Sequence, residues 1–358
     1  MQYSTIKLDT LENILKKHNI TITHHACAYE KHNDQNQGVL YTKTESWQPP
    51  QSYSDWVCTY LNGEWRCNHP HILFKILLNI FPPTTTLPLP SQTRPFHEPT
   101  LNQALLMQSP PHFFSLWLDS GMHMTSGYFS QQYQDNTHLA QERDIHRSLH
   151  YLHSRGHQQL LDTQAQWGSV VNKAISMGFN IDAIHHTSAQ IEFCHRTCQE
   201  GWSSGEYRLY LSQDYRQHQG YEGIISTNHI EYTPQHHRYL EHLNSHLYDH
   251  GSIIIKTVLG HTYPHTPPLP RCYPCSTHEL QLSCHKLGLQ IQAIHNQTSH
   301  HMKTLEMWIQ RLVCQEQKHQ LHALSQHSFR LWQAYLAIQH AMLATDKLKS
   351  VSILIEKK

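Results

Sequence analysis

A regular alternation of strand-like and helix-like segments between residues 158 and 260 limits the possible folds more than any other feature of the sequence. Apolar strand patterns occur at 158–163, 180–187, 207–215, 221–227 and 251–259. Amphipathic helical patterns occupy 169–177, 188–199 and about 235–249. Strands that alternate with helices form a parallel sheet covered on both faces and connected by right-handed crossovers. The sequence therefore predicts a doubly wound α/β domain.

The end of the chain departs from this alternation. Residues 289–296 predict one more strand, residues 300–340 are mostly amphipathic helix, and residues 351–357 predict a closing strand. We expect the closing strand to be antiparallel to its neighbours. The pattern alone does not distinguish among the doubly wound folds that have such a strand.

A segment rich in proline and threonine, PPTTTLPLPSQTRP at 82–95, separates this region from the front of the chain. It can form neither a helix nor a central strand, so we predict a linker at 82–105. This divides the chain into a small N-terminal α+β domain at 1–81 and a main domain at 106–358 with a helical insertion at about 300–345. In the N-terminal domain we predict a helix from residue 8, a strand at 19–23, a hairpin turn at Asn62-Gly63 and a helix from His71 to Phe81.

Composition excludes some classes of partner and site. Lys plus Arg and Asp plus Glu are both 27, so the net charge is zero with histidine neutral. The composition therefore gives no reason to expect nucleic acid as a partner. The 35 histidines are spread evenly, which favours variation in surface composition over a functional cause. Nine cysteines without a signal peptide predict free thiols in the cytoplasm. No apolar run approaches the roughly 20 residues of a spanning helix, so we expect any membrane contact to be peripheral.

Ordered sequence blocks over most of the chain resemble one enzyme family. FFSLWLDSGMHMTSGYF at 113–129 resembles the FFxLFLDxxMxYSCAYF block of cyclopropane-fatty-acyl-phospholipid synthases, and LLDTQAQWGS at 160–169 resembles their VLDxGCGWGG block. Further blocks follow in family order at 210–234, 302–312 and 328–342, and residues 59–77 resemble the small N-terminal domain of longer members. The resemblance implies a doubly wound, seven-stranded class I methyltransferase (Rossmann-like) domain.

The resemblance also implies a chemistry and a set of partners. Members of this family transfer a methyl group from S-adenosylmethionine to a cis double bond of a phospholipid acyl chain, and a bound bicarbonate accepts the proton that is then lost. The implied partners are a phospholipid membrane surface or its acyl chains and a second copy of the chain. For an inactive chain, the expected partner is an active paralogue. The implied location is cytoplasmic, peripheral to the inner membrane.

The cofactor positions implied by the family are partly replaced in this chain. The glycine-rich turn has become Gln164-Ala165-Gln166-Trp167-Gly168-Ser169, so glutamines stand at the first two glycine positions. We expect their side chains to occupy cofactor space and a positive φ there to be strained. The cofactor-binding candidates that remain by resemblance are Asp162, Trp167, Gly168, His185, Gln190, Asp214 and Tyr215.

The catalytic positions implied by the family are replaced more extensively. The family's acid is kept as Glu231, whereas Ser126 replaces a cysteine, Lys256 a histidine and His301 a tyrosine. Two interpretations remain open for the last two: Lys256 forms an anion or proton-relay site with Glu231 and His301, or it forms a structural ion pair with Glu231.

One further segment offers metal-ligand residue types. Cys272 and Cys275 form a single C-x-x-C, followed by His278, Cys284 and His285. Structural zinc usually needs a second ligand pair at regular spacing, so ordinary free cysteines are favoured over zinc and no metal site is predicted.

These losses together predict a degenerate or inactive homologue of the cyclopropane synthases that binds lipid or a partner. The alternative is an active S-adenosylmethionine-dependent methyltransferase that modifies acyl chains of membrane phospholipids. Room for an adenosyl group beside Asp162 and Trp167 would favour the alternative.

Overall fold

The structure is a computed structural model that describes residues 7–24, 38–44, 46–82, 107, 109–130, 136–199, 204–216, 220–264, 266, 268–318 and 323–358. The predicted linker therefore lies almost wholly outside the described residues. The chain forms two compact units. The first unit comprises Met1–Thr86, Pro264–Leu269 and Leu305–Thr345, and the second comprises Leu87–Tyr263, Pro270–Thr304 and Asp346–Lys358.

The N-terminal part of the first unit is a small three-stranded sheet with helices. Its elements are α1 (Leu8–Lys17), β1 (Ile20–His24), β2 (Gly38–Thr42), α2 (Tyr53–Leu61), β3 (Trp65–Cys67) and α3 (Pro70–Ile80). β2 lies in the middle, parallel to β1 and antiparallel to β3. The prediction of a hairpin at Asn62-Gly63 is wrong, because these residues join helix α2 to β3. Ser52 caps α2 by accepting the Asp55 N–H at 3.1 Å, so a helix stands where the first strand of a hairpin would have to be.

The second unit contains the alternating elements. In chain order, the remaining elements are α4 (Pro111–Ser115), α5 (Thr137–Ser154), β4 (Gln159–Asp162), α6 (Ser169–Ser176), β5 (Asn180–His185), α7 (Ser188–Gln199), β6 (Tyr207–Leu211), β7 (Tyr221–Thr227), α8 (His236–His246), β8 (Leu247–Gly260), α9 (Thr277–Lys286), β9 (Leu289–Asn296), α10 (Thr298–Lys318), α11 (Ala323–Ala344) and β10 (Leu348–Lys357). A short 3-10 turn, Ile230–Tyr232, follows β7. The residues of α10 from Leu305 onward and all of α11 belong to the first unit.

The large sheet has seven strands in the order β6-β5-β4-β7-β8-β10-β9. The neighbours from β6 to β8 pair in parallel, whereas β10 is antiparallel to both β8 and β9. This confirms the predicted doubly wound α/β fold of the class I methyltransferase type, including its closing antiparallel strand. The chain runs outward from β4 to β5 and β6 on one side and from β7 to β8 on the other, so the carboxyl ends of β4 and β7 border the crevice where such sheets bind ligands.

The two faces of this sheet are covered by different helices, which explains the continuous apolar run of β8. Ile253 and Ile255 pack in one core with residues of α8 and α9. Ile254, between them, packs in the other core with residues of α5, α6 and α7. Successive strand side chains point to opposite faces, so a strand buried on both faces must be apolar at consecutive positions.

Within the described residues, none of the helices has the combination of length and apolarity needed to span a membrane.

Candidate functional site

The turn after β4 occupies the place where doubly wound sheets bind a cofactor, and its side chains are enclosed. Asp162 to Gly168 are all buried, and Gln164 and Gln166 are 3% and 7% exposed. Asp162 Oδ1 accepts the Gln164 N–H at 3.1 Å, and burial raises the pKa of the Asp162 carboxyl to about 7. The side chains of this turn are therefore largely covered by other atoms of the protein.

Gln166 has the backbone conformation that a glycine would adopt without strain. Its φ is 51°, in the left-handed region. Such a conformation costs a non-glycine residue about 1–3 kcal/mol and persists only where neighbours hold it. Here the Gln166 carbonyl lies 2.8 Å from His185 Nδ1, and the Ala165 N–H donates to the Ile184 carbonyl at 2.9 Å. The turn therefore carries a side chain at a position with the backbone geometry that glycine favours.

Gly168 is retained for a reason that does not involve a ligand. Its φ is 87°, and a Cβ added there would lie 2.2 Å from Cys194 Sγ on α7. Gly168 is also the residue that precedes α6. The glycine that survives is thus the one that leaves room for Cys194 of α7 beside the start of α6.

Three buried polar atoms near the ends of β4 and β5 have no hydrogen-bond partner among the described residues. They are Asp162 Oδ2, Trp167 Nε1 and His185 Nε2. His185 Nδ1 must carry its proton to donate to the Gln166 carbonyl, which leaves Nε2 as an acceptor. Burial lowers the pKa of His185 to about 4, so the ring is neutral at pH 7.

The remaining cofactor candidates have local structural roles or are exposed. Gln190 is fully buried, and its Oε1 accepts the His186 N–H at 3.0 Å at the start of α7. Tyr215 is buried in the core, with its hydroxyl 3.3 Å from the Tyr221 hydroxyl. Asp214 is exposed beyond β6. The structure places all of the candidates on the carboxyl side of β4, β5 and β6, but Tyr215 points into the core.

These residues do not fit S-adenosylmethionine in the pose implied by a glycine-rich turn. That pose needs the backbone of the turn to be open to the ligand, because only a residue without a side chain permits the close approach. Here Gln164 and Gln166 are enclosed at the same backbone positions. The three unpartnered atoms are the remaining polar positions that a ligand could satisfy.

Lys256 forms a buried ion pair with an acid that the sequence did not suggest. Its Nζ lies 2.5 Å from Asp144 Oδ2 and also donates to the Asp144 carbonyl at 3.3 Å. The side chains of Lys256 and Asp144 are 7% and 2% exposed. Gln297 Nε2 donates to the other carboxylate oxygen of Asp144 at 2.8 Å. The prediction that Lys256 pairs with Glu231 is wrong.

The reason for this correction is the alternation of side chains along β8. Lys256 points toward α5, which carries Asp144, whereas the adjacent Thr257 points to the opposite face. Thr257 Oγ1 donates to Glu231 Oε2 at 2.8 Å. Glu231 is 3% exposed, and burial raises the pKa of its carboxyl to about 7. The retained acid is thus separated from the lysine by the sheet, so the two do not form one acid/base site.

The other catalytic candidates also have local partners. His301 Nδ1 lies 2.9 Å from Ser350 Oγ on β10, and the Ser126 hydroxyl donates to the Gly127 carbonyl at 3.2 Å. The sequence reasoning missed Asp144 and Gln297, which complete the Lys256 cluster. Asp144 had a detectable signal, because it lies on the buried face of α5 with Ile145, Ser148 and Leu149. An acid on the apolar face of a helix usually has a buried cation as its partner.

The segment considered for zinc contributes to the core. Cys275 and Cys284 are buried in the same apolar cluster, and burial raises the pKa of the Cys275 thiol to about 12. Cys275 also forms an isolated parallel β-bridge with Leu259 of β8, so backbone pairing and burial in the core account for its position.

Comparisons with known proteins agree with the fold described above. The family model described as mycolic acid cyclopropane synthetase matches residues 109–353. The cyclopropane synthase MmaA2 from Mycobacterium tuberculosis is similar in structure, with a TM-score of 0.63 and 18% identity over 75% of this chain and 100% of that one. Mycolic acid cyclopropane synthase CmaA1, complexed with SAH and CTAB, has the same TM-score and coverage at 19% identity.

A more distant structure shares the fold. Coclaurine N-methyltransferase, bound to N-methylheliamine and SAH, has a TM-score of 0.60 and 13% identity over 73% of this chain and 82% of that one. No curated protein sequence matches the chain. At these identities the structural similarities establish the class I S-adenosylmethionine-dependent methyltransferase fold, while the family match covers well over half of the chain. The chain belongs to the mycolic acid cyclopropane synthetase family.

Proposed function

We propose that this chain keeps the fold of the cyclopropane synthases without their methyl transfer, and that it acts by binding phospholipid acyl chains or a partner protein, such as an active paralogue. The observation that carries the proposal is the enclosed turn after β4. Gln164 and Gln166 fill the positions that must be bare backbone for the cofactor, and both are less than 10% exposed. If the turn no longer binds the methyl donor, it cannot stabilise the transition state of methyl transfer either, because the same contacts are missing there.

The charges at the former catalytic positions support the same proposal. A bound bicarbonate needs a cation or several hydrogen-bond donors directed at it. The Lys256 ammonium is already neutralised by Asp144, and Glu231 is a buried acid that would repel an anion once ionised. Proton removal from a carbocation would therefore lack its acceptor.

Isothermal titration calorimetry with S-adenosylmethionine and with its demethylated product tests the proposal directly. The natural chain should show no saturable binding. The double variant Gln164→Gly/Gln166→Gly should gain binding if side-chain bulk is the cause, whereas Gln158→Gly, at an exposed glutamine just before β4, should behave as the natural chain does. One-to-one binding by the natural chain at micromolar concentration would end the proposal.

One observation favours the alternative, an active methyltransferase acting on acyl chains. Asp162 Oδ2, Trp167 Nε1 and His185 Nε2 are buried without a partner in the described part of the chain. Each such atom costs about 1–3 kcal/mol, which a polar ligand could recover. Incubation with radiolabelled S-adenosylmethionine and vesicles of phospholipids with cis-unsaturated chains distinguishes the two functions. Label in the lipid would support the alternative, and vesicle binding without label supports the proposal.

A further inference from the structure

A cluster of metal-ligand side chains lies apart from the turn after β4 and from Lys256. Asp119 and His123 are in the segment after α4, and His138 is in the first turn of α5. His123 Nδ1 lies 2.6 Å and His138 Nδ1 lies 2.5 Å from the same oxygen, Asp119 Oδ2. One ligand atom from each of the three residues lies within 4.8 Å of the other two. We propose that Asp119, His123 and His138 form a binding site for a divalent first-row transition-metal ion, with Zn²⁺ as the expected ion.

The donor set has the composition of known metal sites. Two imidazole nitrogens and one carboxylate oxygen bind zinc at about 2.0–2.2 Å and leave a fourth position for water or another ligand. In a tetrahedral site such ligand atoms are about 3.3 Å apart, as follows from bonds of that length. Each imidazole must therefore move less than 1 Å away from Asp119 Oδ2. His138 can do so because its side chain is 40% exposed.

The surroundings of His123 supply the second observation. Its Nε2, which faces away from Asp119, lies 3.1 Å from Glu142 Oε1. Lys173 Nζ in turn lies 3.3 Å from the other oxygen of Glu142. A metal-bound histidine nearly always donates its second ring N–H to a carboxylate or carbonyl, which fixes the tautomer and raises the basicity of the ligating nitrogen. His123 has this arrangement with Nδ1 as the ligating nitrogen.

The backbone holds the carboxylate and one ring in place. Asp119 Oδ1 accepts the His123 N–H at 2.8 Å, and Asp119 Oδ2 accepts the Gly121 N–H at 3.2 Å. A Cβ at Gly121 would lie 2.2 Å from His123 Cε1, so this ring position requires a glycine there. A cavity of about 320 Å³ borders Asp119, Ser120 and Met122 and so lies directly beside one of the three ligands. The backbone therefore holds Asp119 and His123 close to their ligating positions, and the more exposed His138 has room for a larger adjustment.

Cobalt titration of the chelator-treated full chain tests the proposal. Co²⁺ replaces Zn²⁺ and gives visible absorption whose intensity reports four-coordinate geometry. We expect one saturable Co²⁺ site per chain that Zn²⁺ displaces. His138→Gln should abolish it, and Glu142→Gln should weaken it by about 10- to 100-fold, the usual effect of losing the partner of a ligating histidine.

The matched control addresses the high histidine content of the chain. His146 is exposed on the same helix as His138, and His146→Gln should leave the affinity and the spectrum unchanged. Circular dichroism of each variant checks that the fold is intact, and His138 is exposed enough for its replacement to be tolerated. If His138→Gln binds Co²⁺ as tightly as the natural chain, or if the natural chain binds none, the cluster is only a hydrogen-bonded group and the proposal is wrong. This test is independent of whether the chain binds S-adenosylmethionine.

Discussion

Replacing Lys256 by methionine would leave the Asp144 carboxylate buried without its cation. The two groups are 2.5 Å apart and both side chains are less than 10% exposed. With an effective dielectric constant of about 20, their attraction is about 7 kcal/mol before desolvation is subtracted. Desolvation costs several kcal/mol for each ion, so the intact pair contributes little net stability. Breaking it is different, because an uncompensated buried charge costs about 3–5 kcal/mol.

We therefore expect Lys256→Met to lower the free energy of unfolding by about 3–5 kcal/mol. The double variant Lys256→Met/Asp144→Asn should recover most of this loss, since an asparagine at 144 carries no charge and can still accept the hydrogen bond from Gln297. Urea unfolding followed by circular dichroism gives the free energies. Lys349→Met, at an exposed lysine of β10, serves as the control and should change the free energy by no more than about 0.5 kcal/mol.

Two results would refute this reasoning. The first is a loss of less than about 1 kcal/mol in Lys256→Met, which would mean that water or another group reaches Asp144. The second is a double variant that is less stable than Lys256→Met, which would mean that the lysine stem and not its charge matters.

Three further predictions concern the same unit. Gly168→Ala should destabilise the fold by about 2 kcal/mol or more, since its Cβ would meet Cys194 Sγ at 2.2 Å; Gly156→Ala, with φ of 78° and open space around it, should show only the smaller cost of the left-handed backbone in thermal unfolding. Glu231 has a pKa of about 7 when folded against an ordinary 4.5, so its contribution to stability is complete below about pH 4.5 and is lost as pH rises toward 7. Glu231→Gln should reduce this slope in unfolding free energies measured across that window, and an unchanged slope would contradict the assignment. Tyr221→Phe removes a 2.7 Å hydrogen bond to Asp182 and should cost about 1.5–3 kcal/mol in urea unfolding, whereas Tyr248→Phe, half exposed, should cost almost nothing.

The order and type of the large sheet's elements were readable from the sequence because hydrophobic periodicity is a local property. A short stretch of sequence is enough to recognise each of these patterns. Examples are the buried strand at 251–259, the helix at 188–199 and the closing strand at 351–357. The prediction of a hairpin at Asn62-Gly63 was wrong because it, too, depended on local pattern alone. A short apolar run with a turn after it fits either a strand or a helix, and the Ser52 cap decided for the helix.

The loss of glycines in the turn after β4 was also visible in the sequence, since residue identity at one position needs no tertiary information. The partner of Lys256 was not visible. Asp144 is 112 residues away, and only the packing of α5 on one face of β8 brings the two together. Likewise Asp119 and His138 are 19 residues apart and meet because the segment after α4 folds against the start of α5. Periodicity identifies which face of an element is buried, but which charges meet across two buried faces depends on the packing of segments that are distant in the chain.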